Sequence, residues 1–128
     1  MAKARVLIVD DNETGIKVLA QLLTAQNVEY IGVQDPGQLD NLTAELNSVD
    51  AIFLDLEMPK IDGYEMLRIF KQDMKLKAPI IAYSVHTGEI NTVKELGFDG
   101  FLGKPLRMQN FPAYLESILK GEEVWAID

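Results

Sequence analysis

Asp10, Asp11, Asp55, Ser84 and Lys104 are the residues of this 128-residue chain whose types and placement could do chemistry together. Each follows a short aliphatic or aromatic run. Arg5-Val6-Leu7-Ile8-Val9 precedes the aspartate pair, and Ala51-Ile52-Phe53-Leu54 precedes Asp55. Pro79-Ile80-Ile81-Ala82-Tyr83 precedes Ser84, and Gly100-Phe101-Leu102-Gly103 precedes Lys104. Such runs suit strands buried on both faces. In an open parallel sheet, ligands sit in the crevice outside the carboxyl ends of the strands. Four strand ends would therefore deliver these groups to one edge.

Three carboxylates a few ångströms apart repel unless one is protonated or a cation bridges them. Oxygen ligands without His or Cys nearby favour Mg²⁺, or Mn²⁺, over zinc. Mg²⁺ typically takes one or two carboxylates, keeps waters and completes its shell with phosphate oxygens. A carboxylate beside such an ion can attack a phosphoryl group, which would leave an aspartyl phosphate on Asp55. Lys104 would neutralise the phosphoryl oxygens as a compact charge, and Ser84 would donate a hydrogen bond to one of them. Each residue also has a plain reading. Asp55 can cap the turn shaped by Pro59 and Gly63, Lys104 can be a surface lysine, and Ser84 a strand-ending hydroxyl. Their joint arrival at one edge favours the chemistry.

The elements that must position these groups alternate along the chain. Ile16, Leu19, Leu22 and Leu23 predict a helix from about residue 13 to 26, and Val28 to Val33 a second strand. Asp35-Pro36 is a helix start, with Leu39, Leu42 and Leu46 as the apolar face. Tyr64, Leu67 and Phe70 mark a third helix, with Lys71, Lys75 and Lys77 towards its end. Ile90, Val93, Lys94 and Leu96 outline a short fourth helix stopped by Gly97. Tyr114, Leu115, Ile118 and Leu119 face the core from a last helix, with Pro112 in its first turn and Gly121 at its end. Connections long enough for helices make the strands parallel and the crossovers right-handed. The expectation is an α/β, doubly wound (βα)5 sandwich around a five-stranded parallel sheet.

Composition narrows the partners. A chain with 48% hydrophobic residues suits one core. Zero cysteines excludes disulfides and thiolate metal sites and is compatible with a reducing cytoplasm. No apolar run approaches the roughly 20 residues of a bilayer span, and positions 1–9 are too short and strand-like for a secretory signal. A formal charge of −8 argues against gripping nucleic acid through its phosphates, and allows a cation or a basic partner surface. Only residues 121–128 follow the last helix, so output is expected through another protein, unless the chain is a fragment of a larger one. Trp125 in this tail would pack back on the domain or anchor a partner.

Val9-Asp10-Asp11, Leu54-Asp55-Leu56-Glu57-Met58-Pro59 with Asp62-Gly63, Ser84, and Lys104-Pro105 together resemble the receiver domain of two-component response regulators, of the single-domain, chemotaxis-regulator kind. The likeness runs over about residues 4–120. It implies a flavodoxin-like fold, with residues 1–120 as the receiver domain and 121–128 as a short tail. It implies that Asp55 is the phosphoacceptor. Asp11 and Asp55 would ligate Mg²⁺ directly, Asp10 through a water, and Glu57 through its backbone carbonyl. Lys104 and Ser84 would contact the phosphoryl group. Phe101 matches the aromatic that turns inward when Ser84 swings to the phosphate, and Glu57 and His86 stand where the phosphoryl lifetime is tuned.

The implied phosphodonor is a histidine kinase or phosphotransfer protein. The implied output is a downstream protein on the face of the fourth helix, fifth strand and fifth helix. The chain would be cytoplasmic, a monomer or weak homodimer, without direct nucleic-acid or membrane binding, and no enzyme beyond self-catalysed phosphoryl uptake and hydrolysis. Two departures stand out: Val85 follows Ser84 where the family has a small residue, and the stretch from Ser84 to Lys104 is short, implying a trimmed fourth helix. His86, the only histidine, also reads as a solvated loop residue, and Phe101 as ordinary core. Two rivals remain. One is a phosphohydrolase with an aspartyl-phosphate intermediate, in which Glu57 does acid/base work. The other is a binding module that keeps the fold and recognises partners without phosphorylation.

Overall fold

Strand pleating sorts the apolar residues onto two faces, and a computed structural model, describing residues 3–59 and 62–127, shows both faces covered. The strands are β1 (Arg5–Val9), β2 (Glu29–Val33), β3 (Ala51–Asp55), β4 (Ile80–Ser84), β5 (Gly100–Gly103) and β6 (Val124–Ala126). They form one sheet in the order β2-β1-β3-β4-β5-β6, parallel throughout. Between them run α1 (Glu13–Ala25), a 3₁₀ segment Pro36–Leu42 continued by α2 (Thr43–Leu46), and α3 (Gly63–Arg68) widening into a π-turn at Ile69–Asp73. A 3₁₀ turn, Thr87–Glu89, leads into α4 (Ile90–Glu95), and α5 (Phe111–Leu119) precedes β6.

Because successive strand side chains point to opposite faces, Val6, Ile8, Phe53, Ile81 and Leu102 meet α1 and α5 through Leu19, Leu23, Phe111 and Leu115. Leu7, Val9, Ile52, Leu54, Ala82 and Phe101 meet the other three helices through Leu46, Leu67, Phe70 and Val93. The doubly wound, flavodoxin-like architecture is as expected.

Four details correct the sequence expectations. The sheet has six strands, because the tail pairs with β5; Asp128, its last residue, lies outside the described residues. The second helix is mostly 3₁₀: Asp35 closes a capping box with Gln38, but Gly37, Asp40 and Asn41 are poor helix formers. Lys75, with φ 54°, lies beyond the third helix, as does Lys77, so only Lys71 sits in its last turn. Leu96 is 50% exposed, because α4 ends at Glu95 and Val93 is its buried residue. The trimmed fourth helix is real, six residues long, with Gly97 at φ 103° as its stop. Trp125 packs back on the domain, half-buried against the cluster that holds Phe101.

Candidate functional site

Register explains why the acidic groups converge. Val9 pairs with Leu54, so Asp10 and Asp55 leave adjacent strands at the same level, and Asp55 pairs with Tyr83 of β4. One carboxylate oxygen from each of Asp10, Asp11 and Asp55 lies within 4.8 Å of the others. Asp10 and Asp55 are buried and Asp11 is half-buried. Local turns hold them. Asp10 Oδ1 accepts the Asn12 amide at 2.9 Å, and Asn12 in turn caps α1 by accepting from the Thr14 amide. Asp55 Oδ1 accepts the Glu57 amide at 2.9 Å.

Lys104 enters from the end of β5, where its backbone N–H donates to Ser84 O. Its ammonium donates to Asp55 Oδ1 at 3.1 Å and lies 3.0 Å from Glu57 Oε1. The other Glu57 oxygen accepts the Val85 amide at 3.2 Å and stands 3.7 Å from His86 Nε2. Ser84 is fully buried, and its Oγ accepts the His86 amide at 2.9 Å. Phe101 is fully buried on the α4 face of the sheet, where it pairs with Ala82; by the alternation along β4 this is the face of Ser84 and is opposite that of Asp55 and Tyr83. His86 is a largely exposed loop residue that nevertheless touches Glu57.

Burial is the main influence on Asp55. It pushes the carboxyl above the ordinary 3.8, against the Glu57 N–H and the Lys104 ammonium, which pull it down, while the Asp10 charge adds to the rise. For Lys104, burial opposes the charge, but hydrogen bonds to Glu57 and Asp55 and their charges outweigh it and hold the ammonium above 10.5. Among the described residues, the three clustered aspartates and Glu57 share the site with the Lys104 ammonium, which contacts Asp55 and Glu57. An all-oxygen set with surplus negative charge fits a hard divalent cation such as Mg²⁺ or Mn²⁺.

Tyr83 belongs to this site and escaped the sequence reading. Its hydroxyl donates to Asp10 Oδ2 at 2.9 Å, and its ring lies 4.8 Å beneath the Lys104 ammonium. Burial, then the Asp10 charge, drives its phenol far above the ordinary range, so it is always a donor. The one available signal was its placement next to Ser84 at the strand end. Tyr83→Phe is expected to cost about 1.5–3 kcal/mol in a urea melt, the worth of a hydrogen bond to a charged group. An unchanged midpoint would mean that Asp10 finds another donor.

A doubly wound parallel sheet with a carboxylate pocket at its carboxyl edge, and a lysine from the last inner strand reaching into it, defines the receiver class of signalling proteins. The family model for the response regulator receiver domain matches residues 6–116, and the chain belongs to that family. Among curated relatives, the protein-glutamate methylesterase/protein-glutamine glutaminase of Trichodesmium erythraeum is 34% identical over 125 residues, covering 94% of this chain and 35% of that protein. The osmosensing histidine protein kinase SLN1 of Saccharomyces cerevisiae is 29% identical over 110 residues, covering 80% of this chain and 9% of that protein. The polar-differentiation response regulator DivK of Brucella ovis is 27% identical over 117 residues, covering 89% of this chain and 94% of that protein. The chain thus spans about half or less of several relatives it matches, and nearly all of DivK. The solved chemotaxis response regulator CheY4 of Vibrio cholerae superimposes with a TM-score of 0.75 at 24% identity, covering 91% of this chain and 99% of that one. A response regulator from Chloroflexus aurantiacus reaches 0.79 at 24% identity, covering 93% of this chain and 99% of that one. These two likenesses are of fold.

Proposed function

We propose that the chain is the phosphoacceptor of a two-component phosphorelay, with Asp55 as the residue that takes the phosphoryl group. The observation that carries this reading is the Asp55 carboxylate, 3% exposed, with the Lys104 ammonium 3.1 Å away and oxygens of Asp10 and Asp11 within 4.8 Å. The donor is a histidine kinase or phosphotransfer protein, the source from which receiver domains take phosphate. A carboxylate oxygen of Asp55 attacks the phosphorus, an O–P bond forms, and the P–N bond to the donor imidazole breaks. The electron pair stays on that nitrogen, which takes up a proton.

Asp11, Asp55 and the Glu57 carbonyl would hold Mg²⁺, with Asp10 reaching it through a water; the bound ion supplies charge neutralisation for the phosphoryl oxygens. Lys104 exchanges its Glu57 partner for a phosphoryl oxygen, and Ser84 gives up the His86 amide to donate to another. Glu57 and His86, already in contact, shape the approach of the hydrolysing water. Beyond this uptake and hydrolysis the chain works as a cytoplasmic switch, monomeric or weakly dimeric, passing its state to a protein on the face of α4, β5 and α5.

The test is intact mass after incubation with acetyl phosphate and Mg²⁺, with a chelated control and mapping of the adduct. One phosphoryl group on the peptide containing Asp55, absent without metal, is the expected result. Absence of an adduct from acetyl phosphate and from a panel of histidine kinases would favour a binding module. Turnover of phosphomonoesters would favour a phosphohydrolase.

A further inference from the structure

The tail lies outside residues 6–116, which match the receiver family, yet it is built into the sheet. Gly121, at φ 85°, turns the chain after α5. In the β5–β6 ladder Gly100 pairs with Val124, Phe101 with Trp125, and Leu102 with Ala126. Two glycines of β5 admit this strand. A Cβ on Gly100 would stand 2.7 Å from Val124 O, and one on Gly103 would stand 2.8 Å from Ile127 O. Trp125 packs against the cluster containing Phe101, with Lys94 Nζ of α4 5.3 Å from its ring centroid. Its indole N–H donates to Glu123 Oε1 at 3.0 Å.

The attachment is nonetheless short: three ladder pairs, with Val124 and Ala126 packed on the α1–α5 side and Trp125 on the α4 side. All three residues of β6 remain half-exposed, and Ile127 is 58% exposed. Without the tail, β5 would be an open edge, whose unpaired backbone groups are a template for an added strand.

We propose that the edge of β5, with its α4 flank, is a strand-docking site for a partner's extended segment. That segment carries an aromatic residue opposite Phe101, and residues 121–127 occupy the site in cis as a displaceable stand-in. The proposal deepens the reading of β5 as part of the output face and rests on it. The tail displays the chemistry that fits: parallel backbone pairing, close approach over Gly100 and Gly103, and a ring between Phe101 and Lys94. A charge of −8 on every copy disfavours a second copy as occupant and favours a partner that is neutral or basic outside the docked segment. The tail is linked to the proposed phosphorylation site through one lysine. Gly103, against which the Ile127 backbone lies, is followed by Lys104, which bonds Asp55 and Glu57. A move of Lys104 towards a phosphoryl group is therefore felt where the tail is held, and docking and phosphorylation bias each other reciprocally.

The test uses the full chain and a fluorescein-labelled peptide with the sequence of residues 120–127. A tethered occupant competes at high effective concentration, so Trp125→Ala should tighten peptide binding about tenfold or more relative to the unaltered chain. Ala126→Pro, a second way to weaken the cis strand, should do the same. Adding Gly103→Val to Trp125→Ala should abolish binding. Equal binding by the unaltered chain and both tail variants overturns the proposal, as does binding that survives Gly103→Val in a folded protein. Trp125 is the only tryptophan, so its acrylamide quenching reads the tail directly. Quenching should rise when Asp55 carries a phosphoryl group. An adduct on Asp55 with unchanged quenching overturns the link to phosphorylation. If no adduct forms while the peptide arm behaves as expected, the phosphorelay reading fails and the docking site stands.

Discussion

Asp55→Asn is expected to abolish the phosphoryl adduct and to make the metal-free protein more stable at neutral pH. Loss of the adduct follows from loss of the proposed nucleophile, since an amide oxygen does not form the acyl phosphate. The gain in stability follows from the balance at the site. Burial outweighs the Glu57 N–H and the Lys104 ammonium, so the Asp55 carboxyl holds its proton more tightly in the folded chain than its ordinary value of 3.8 implies. A group of this kind favours the folded state below that value, and the benefit is lost as pH rises through the folded pKa.

Asparagine has nearly the same shape, carries no charge, and can still accept from the Glu57 amide and Lys104. The variant should therefore melt above the unaltered protein at neutral pH. The gap should narrow on acidification and close below 3.8. Added Mg²⁺ should raise the melting temperature of the unaltered protein and have little effect on the variant. Thermal scans across pH, with and without Mg²⁺, check all of this. A variant no more stable than the parent at neutral pH would show that Lys104 and the Glu57 amide, and not burial, dominate the site.

Gly15→Ala should weaken Mg²⁺ binding, although Gly15 contributes no ligand. A Cβ at this position in the first turns of α1 would stand 2.1 Å from Asp10 Oδ2. That oxygen cannot yield freely, because Asp10 is buried, Tyr83 donates to Oδ2, and Asn12 holds Oδ1. The carboxylate must rotate, lose the Tyr83 bond and leave the place from which it faces Asp11 and Asp55. Disturbing a group that supports a metal site costs about 10–100-fold in affinity, which is the expected loss in a calorimetric Mg²⁺ titration. Helix propensity alone gives the opposite sign for stability, about 1 kcal/mol in favour of alanine. A more stable variant with unchanged Mg²⁺ affinity would mean that Asp10 relocates without penalty and is not needed where it stands.

The same contrast runs through the whole molecule. Aliphatic runs, the helical spacing of Leu19, Leu22 and Leu23, and stops at Gly97 and Gly121 were legible because each depends on residues a few positions apart. Carboxylates and the lysine at strand ends were legible for a related reason: a parallel sheet places every strand's carboxyl end on one edge. The short fourth helix could be read from the spacing between Ser84 and Lys104.

Local pattern could not show what crosses between strands. Tyr83 looks like core, and only the β1-β3-β4 order brings its hydroxyl to Asp10 and its ring under Lys104. The family resemblance assigns Glu57 to the site through its backbone carbonyl and as a position tuning the phosphoryl lifetime, but the sequence does not show that its two side-chain oxygens tie Lys104 to the Val85 amide, 28 residues on from Glu57. The tail is too short to show a strand period, and it becomes β6 because two glycines of β5 leave room beside an open edge. Composition and periodicity determined which elements form and which chemistry each can carry. Tertiary structure decided which of those groups touch, because hydrogen bonds and steric contacts act over a few ångströms of space, a separation that distance along the chain does not encode.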